Sequence, residues 1–276
     1  MTGLLRTCVR NNPAYRVEVP LVQRQLAWWI ALLASAILVC SAAEGPTRSH
    51  GGQVTIPELA RCRQLLVVTA ADWSSVAAEM RCFERRDGSS RWSEVWPAWN
   101  AALGRTGLAW GLGLHGTGPG DGPVKREGDG KAPAGVFPLI EAFGFASAED
   151  ANTRFPYRQL TDAMEGVDDP RSRHYNRIID AGSVAGKDWN SSERMRVQPY
   201  RWGTVVGHNW NQVPGAGSCI FLHVWEAPGV ATSGCTAMAE EQMLRVVRWL
   251  DRSKTPILVQ LPVEEYRRIQ ATWKLP

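Results

Sequence analysis

The sequence predicts a mainly β fold with a few helices. Glycine (26) and proline (17) punctuate the 276 residues too densely for a helical bundle. Most apolar runs are short and bounded by turn residues, as strands are. The clear helical patterns lie only near the C-terminus. With 44% hydrophobic residues, the chain is long enough to bury a core in one large domain or two small ones. No internal repeat or low-complexity tract is present.

The first 43 residues read as an export signal or membrane anchor. Arg6, Arg10, Arg16 and Arg24 precede or border an apolar run from Leu26 to Val39, and Ser41 and Ala43 supply small residues at a cleavage spacing. The run is short against the roughly 20 residues that span a membrane. Any membrane contact is therefore expected only through this segment. Four arginines against Glu18 put +3 of the formal +4 in this leader and leave +1 for residues 44–276, read as a single exported domain in the periplasm or cell envelope. A near-neutral domain gives no electrostatic case for nucleic acid.

The elements follow in order. "QLLVVTA" (64–70) and "MRCFERR" (80–86) read as a hairpin around "ADWSS". Cys62 and Cys82 sit on its outer parts, where a disulfide would close a loop of about 20 residues. Residues 92–111 continue as short strands and turns. The segment from Gly113 to Leu139 is so rich in glycine and proline that most of it is read as loop. It lacks the strand–turn–helix context of a dinucleotide fingerprint or a P-loop. Residues 140–200 are polar and are expected to hold loops and one or two short helices, as an insertion or lid. "RWGTVVGHNW" (201–210) and "GSCIFLHVW" (217–225) read as strands. "AEEQMLRVVRWLD" (239–251) is an amphipathic helix with Met243, Leu244, Val246, Val247 and Leu250 on its apolar face. "PILVQLP" (256–262) closes as a strand, and Pro262 suits the start of a last helix.

The chemistry centres on "HVWEAPGVATSGCTAM" (223–238). His223 ends a strand and Cys235 lies four residues before the helix. A free cysteine is only a few per cent thiolate at neutral pH and needs a neighbouring base or positive field. A histidine supplies the base, Gly234 lets a substrate approach the backbone, and the helix start adds positive potential. Three other readings compete. Cys235 pairs with Cys219; or His208, His223 and Cys235 bind zinc; or both residues are ordinary core. Residues 219 and 223 share a strand face about 13 Å apart, so Cys235 is not expected beside both. No short metal spacing supports zinc, and no cofactor is implied.

This stretch resembles the L,D-transpeptidase catalytic domain of the YkuD family, whose motif is a histidine, a loop, then [Ser/Thr]-x-Gly-Cys. The motif maps onto His223 and onto Thr232, Ser233, Gly234 and Cys235. "KREGDGKAPAGVF" (125–137) resembles the stretch leading into the family's core, and the likeness covers roughly residues 60–270. It implies a β-sandwich or barrel-like catalytic domain, a monomer, acting on peptidoglycan stem peptides through an acyl-enzyme. Cys235 is then the nucleophile and His223 the base, its tautomer held by a backbone carbonyl. Thr232 and Ser233 support the loop, and the amides of Gly234 and Cys235 form the oxyanion hole. Three features depart from the family pattern: a shorter loop after His223, Val224 instead of glycine, and "TAM" after Cys235 in place of a following Arg or Asn. They leave the acyl acceptor open between an amine and water, and hence transpeptidase against carboxypeptidase or amidase. A non-catalytic wall-binding module is the remaining alternative.

Other residues are candidates for lining the site. His115 is a candidate to line the cleft or an ordinary loop histidine. Arg126 and Lys131 are candidates to meet stem carboxylates. His208 is a candidate support residue or an ordinary turn histidine. Arg173, His174, Tyr175 and Asn176 are candidates for a polar wall. Trp210, Trp225 and Trp249 are expected in the core.

Overall fold

The computed structural model describes residues 56–276 apart from 117 and 119. The leader, with its reading as signal or anchor, lies outside the described residues. No helix among the described residues is long and apolar enough to cross a membrane.

A short helix α1 (Pro57–Arg61) leads into β1 (Gln64–Ala70) and β2 (Ala77–Glu84), an antiparallel hairpin as the sequence predicts. β2 alternates exposed and buried residues, whereas β1 is buried on both faces. The register sets Leu66 opposite Cys82. Extended outward, it sets position 62 opposite 86, about 13 Å from 82 at ~3.3 Å per residue, where a disulfide tolerates no more than about 7 Å. Cys62 and Cys82 are accordingly free thiols, with no bridge between them. The Cys62 thiol donates instead to the Gln64 carbonyl (3.0 Å).

Three short strands follow: β3 (Ser93–Glu94), β4 (Trp99–Ala102) and β5 (Leu108–Trp110). The glycine-rich loop ends earlier than its composition suggests, because β6 (Ala132–Gly144) is the longest strand among the described residues. Gly135 lies within it at φ +138°, and a Cβ there would stand 2.0 Å from the His115 ring. Only glycine lets the strand pass that ring.

Residues 145–201 hold more strand than expected. After α2 (Ala148–Ala151) and β7 (Tyr157–Gln159) come β8 (Met164–Val167), β9 (Arg177–Asp180) and β10 (Ser192–Arg194). The last three form a separate small sheet in the order β10-β8-β9. The chain then returns to the main sheet through β11 (Trp202–Val206), β12 (Phe221–Val224) and β13 (Thr236–Met238). Helix α3 (Glu240–Trp249) buries Met243, Val246 and Val247; strand β14 (Ile257–Pro262) and helix α4 (Val263–Trp273) end the domain.

The main sheet closes on itself. Its path β1-β14-β6-β11-β12-β13-β4-β2 returns to β1 through the β1–β2 pairing. The fold is thus mainly β and barrel-like, and closure removes free edges along that path. Helix α3 lies against β11 and β12, and α4 against β14 and β1. The tryptophans are less buried than expected. Trp210 is 36% exposed with the Arg177 guanidinium 3.7 Å from its ring centre, and Trp225 and Trp249 are half-buried.

Candidate active site

The period of β12 sorts its side chains. Leu222 and Val224 join the main core, while Phe221 belongs to a second apolar cluster with Phe143, Met195, Tyr200 and Cys235. His223 shares the face of Phe221. β13 runs parallel to β12 with His223 beside Ala237 and Leu222 beside Thr236. One residue earlier, Cys235 comes beside Phe221, whose amide donates to the Cys235 sulfur (3.3 Å). Cys235 and His223 are therefore diagonal neighbours on one sheet face. Strand spacing of ~4.8 Å and a rise of ~3.3 Å per residue put their Cα atoms about 8 Å apart. Both line a cavity of about 530 Å³.

The strand also corrects the expected local geometry. Cys235 does not lead directly into a helix: β13 intervenes, and α3 starts only at Glu240. The dipole of α3 therefore acts at a distance, where its effect is small. Of the "TAM" residues, Ala237 faces the cavity, and Thr236 turns inward to Gln260 (Oγ1 to Oε1, 2.6 Å).

Thr232 builds the turn before Cys235. Its hydroxyl donates to the Cys235 carbonyl (2.7 Å) and accepts from the Gly234 amide (3.1 Å). The Gly234 amide, read from sequence as an oxyanion donor, is thus engaged within the turn. Gly234 has φ +152°, and a Cβ on it would lie 3.1 Å from the Lys131 carbonyl oxygen. Backbone bonds from Thr232 N to Leu103 O (2.9 Å) and from Arg105 N to Thr232 O (2.8 Å) tie the turn to the segment after β4. Ser233 is exposed and lines the cavity.

Electrostatics make the pair neutral at rest. Burial pushes the Cys235 thiol up to about 12, with Glu193 adding to the rise and the Phe221 amide and Lys125 opposing it. Burial lowers His223 to about 4. Cys235 is 8% exposed and His223 7%. The His223 Nδ1 lies 2.8 Å from the Val224 carbonyl oxygen. A carbonyl only accepts, so Nδ1 carries the proton and Nε2 is left with its lone pair.

Several sequence candidates fall elsewhere. His115 is in the core, 3% exposed, among Trp110, Phe137 and Trp273. Val136 N–H donates to its Nδ1 (3.0 Å), so it does not line the cleft. His208 is also buried, accepting from the Leu112 amide (3.2 Å) and donating to the Ala216 carbonyl (3.0 Å). These bonds commit both its nitrogens, so it forms no zinc site with His223 and Cys235. Arg126 is exposed outside the cavity, and the Lys131 ammonium donates to the Thr106 carbonyl (2.6 Å). Arg173 pairs with Asp188 (3.2 Å) on the surface, and His174 packs on Trp189. Tyr175 lies behind the wall with its hydroxyl on Glu127. Asn176 is buried, bridging the His208 and Asn209 carbonyls (2.9 Å each) to the Cys219 amide (2.9 Å).

Cys219 is not bridged to Cys235. Both are free, and the Cys235 sulfur lies 3.5 Å from the Cys219 carbonyl oxygen. The cavity instead acquires charged residues that sequence reasoning passed over: Lys125, Glu127, Asp168 and Glu193. Lys125 is buried, with its ammonium on Asp129 (2.6 Å) and the Arg126 carbonyl (2.7 Å). Its signal was its position beside the exposed Arg126, in a motif already singled out.

The family comparison agrees with this architecture. The model of the YkuD family, the L,D-transpeptidase catalytic domain, matches residues 76–259. The chain belongs to that family. Neither the comparison with curated proteins nor that with solved structures gives a match.

Proposed function

We propose that this protein is an exported cysteine acyltransferase acting on peptidoglycan stem peptides. The observation that carries the proposal is the arrangement of Cys235 and His223 as diagonal neighbours opening on one cavity, with His223 Nδ1 tied to Val224 so that Nε2 is the free base. Membership of the family supplies the substrate class.

In this reading Cys235 Sγ attacks the carbonyl joining diaminopimelate to terminal D-alanine, and its proton passes to His223 Nε2. The Cys235 amide donates to the oxyanion, while the Thr232–Gly234 bond holds the turn in shape. The carbon–nitrogen bond breaks, D-alanine leaves with the proton from His223, and a thioester remains. An incoming amine then forms a new amide and releases the thiol; water in its place gives a tripeptide acid.

The test is intact mass after incubation with a carbapenem, followed by muropeptide analysis on expression. An adduct at Cys235, lost in Cys235→Ala and slowed in His223→Ala, is the expected result. New diaminopimelate–diaminopimelate crosslinks indicate an amine acceptor, and tripeptide stems without crosslinks indicate water. Wall binding that survives Cys235→Ala, with no turnover or adduct in the parent protein, overturns the proposal in favour of a binding module.

A further inference from the structure

The base of the site is braced by a residue outside the family motif. Tyr200 lies in a single helical turn, residues 198–201, between β10 and β11. Its ring meets the His223 ring edge-on, with centroids 5.2 Å apart and planes at 79°. The same ring packs on Phe221 (5.4 Å) and Phe143 (5.9 Å), so its own rotamer is fixed on two sides. Its hydroxyl donates to Glu193 Oε2 (2.8 Å), and Glu193 belongs to β10 of the small sheet. His223 is thereby held from both directions: Nδ1 by the Val224 carbonyl, the ring by Tyr200.

We infer that Tyr200, anchored by Glu193, is a positioning residue that aims the His223 imidazole at Cys235. The inference rests on the acyl-transfer reading above. A single hydrogen bond at Nδ1 leaves an imidazole able to swing about that bond, and proton transfer tolerates little misplacement. The aromatic contact removes that freedom. The Glu193 bond in turn prevents the Tyr200 ring from sliding along Phe221. The small sheet formed from residues 164–194 thus braces the base through Glu193, besides lending Asp168, Glu193 and Arg194 to the cavity wall.

Three variants separate the parts. Tyr200→Phe keeps the ring and loses the anchor. Glu193→Gln keeps an oxygen that accepts the hydroxyl. Tyr200→Leu removes the ring. Turnover of a tetrapeptide stem and the rate of Cys235 acylation are measured for each across pH, with His223→Ala as reference and thermal unfolding as the check on folding. Tyr200→Leu is expected to lower kcat on the order of 10–100-fold with KM nearly unchanged, the signature of a misaimed base rather than lost substrate binding. Tyr200→Phe, which removes one oxygen atom and is least exposed to misfolding, is expected to lose about 3–10-fold, and Glu193→Gln to stay within about threefold. The pH profile should lose its His223-dependent limb in Tyr200→Leu and keep it in Tyr200→Phe. Charged groups facing this pair are Glu193 and Arg194 from β10, Asp168 after β8, Lys125 and Glu127 before β6, and Glu226 after β12. Their titration is common to all variants except at position 193. A folded Tyr200→Leu protein with unchanged kcat and pH profile, or one whose loss falls on KM, overturns the inference alone. Acylation of the parent protein that does not depend on His223 overturns it together with the reading on which it rests.

Discussion

Cys235 should behave in the resting protein as a protonated, sluggish thiol. Burial holds it near pKa 12, against about 8.5 for a free cysteine. At pH 7 the thiolate fraction is then about 10⁻⁵ instead of about 3%, a ratio of roughly 3,000. A more basic thiolate is also a better nucleophile, and a Brønsted coefficient of ~0.4–0.5 returns about 25–55-fold of that ratio. The net expectation is alkylation roughly 55–120-fold slower than a free thiol, before any loss from limited access. Iodoacetamide labelling, quenched at intervals and mapped by mass spectrometry to the peptide holding Cys235, measures it against N-acetylcysteine. Between pH 6 and 10 the rate should rise tenfold per pH unit without a plateau. A level rate between pH 5 and 8 would mean a standing thiolate–imidazolium pair, and the argument from burial would be wrong.

Three further outcomes follow from the geometry. Thr232→Val removes two hydrogen bonds, costing about 1–3 kcal/mol in urea unfolding and slowing carbapenem acylation at Cys235 by at least ~10-fold; unchanged acylation would separate the turn from the chemistry. Gly135→Ala sets a methyl 2.0 Å from a His115 ring enclosed by Trp110, Phe137 and Trp273, so a loss beyond about 3 kcal/mol is expected, and a melting temperature near that of the parent would refute it. Burial lowers His115, His208 and His223 to about 4, so between about pH 6.5 and 4 the unfolded chain takes up protons that the native state refuses. Stability should therefore fall as pH drops through that window, by at most about 3 kcal/mol per histidine. Glu193, raised to about 7 by burial, works the other way, since its native carboxyl binds a proton from about pH 7 down, before the unfolded one does. Urea titrations at pH 7 and 5 should show the histidines prevailing, and a steeper loss in Glu193→Gln.

What the sequence made legible depended on repetition along the chain. β1, β14 and α3 each carry enough apolar residues at a regular spacing to announce themselves. β13 does not: three residues of Thr, Ala and Met have no period, and its pairing is seen only in three dimensions. The small sheet leaves no strand pattern in the sequence, because β8, β9 and β10 are three or four residues long and mix polar with apolar side chains. That His223 and Cys235 lie near one another is legible from the motif, whereas the shared sheet face is not, since β13 offers no period to read. His115 was misplaced because a histidine beside glycines reads as loop, whereas here those glycines make room for a buried ring. Tyr200 and Glu193 carry no local signal at all; their meaning comes from a contact across the fold.

The two perturbed groups also constrain how the chemistry can proceed. With the thiol at about 12 and the imidazole at about 4, moving the proton in the empty site would cost about 11 kcal/mol for non-interacting charges. Even if the resulting charges were brought to ~4 Å, their attraction would return only about 4 kcal/mol at an effective dielectric of ~20. Some 7 kcal/mol remains, against a total barrier of about 17 kcal/mol for one turnover per second. A thiolate formed in advance would therefore consume a large share of the barrier before any bond was made. In the acyl-transfer reading proposed above, the neutral pair favours proton transfer coupled to attack on the carbonyl, because charge then moves on to an oxygen facing the Cys235 amide instead of resting on a buried sulfur. Such coupling demands that Nε2, Sγ and the carbonyl be aligned at the same moment. It gives a physical reason for a site in which the Cys235 turn is laced by Thr232 and the His223 ring is clamped between Val224 and Tyr200.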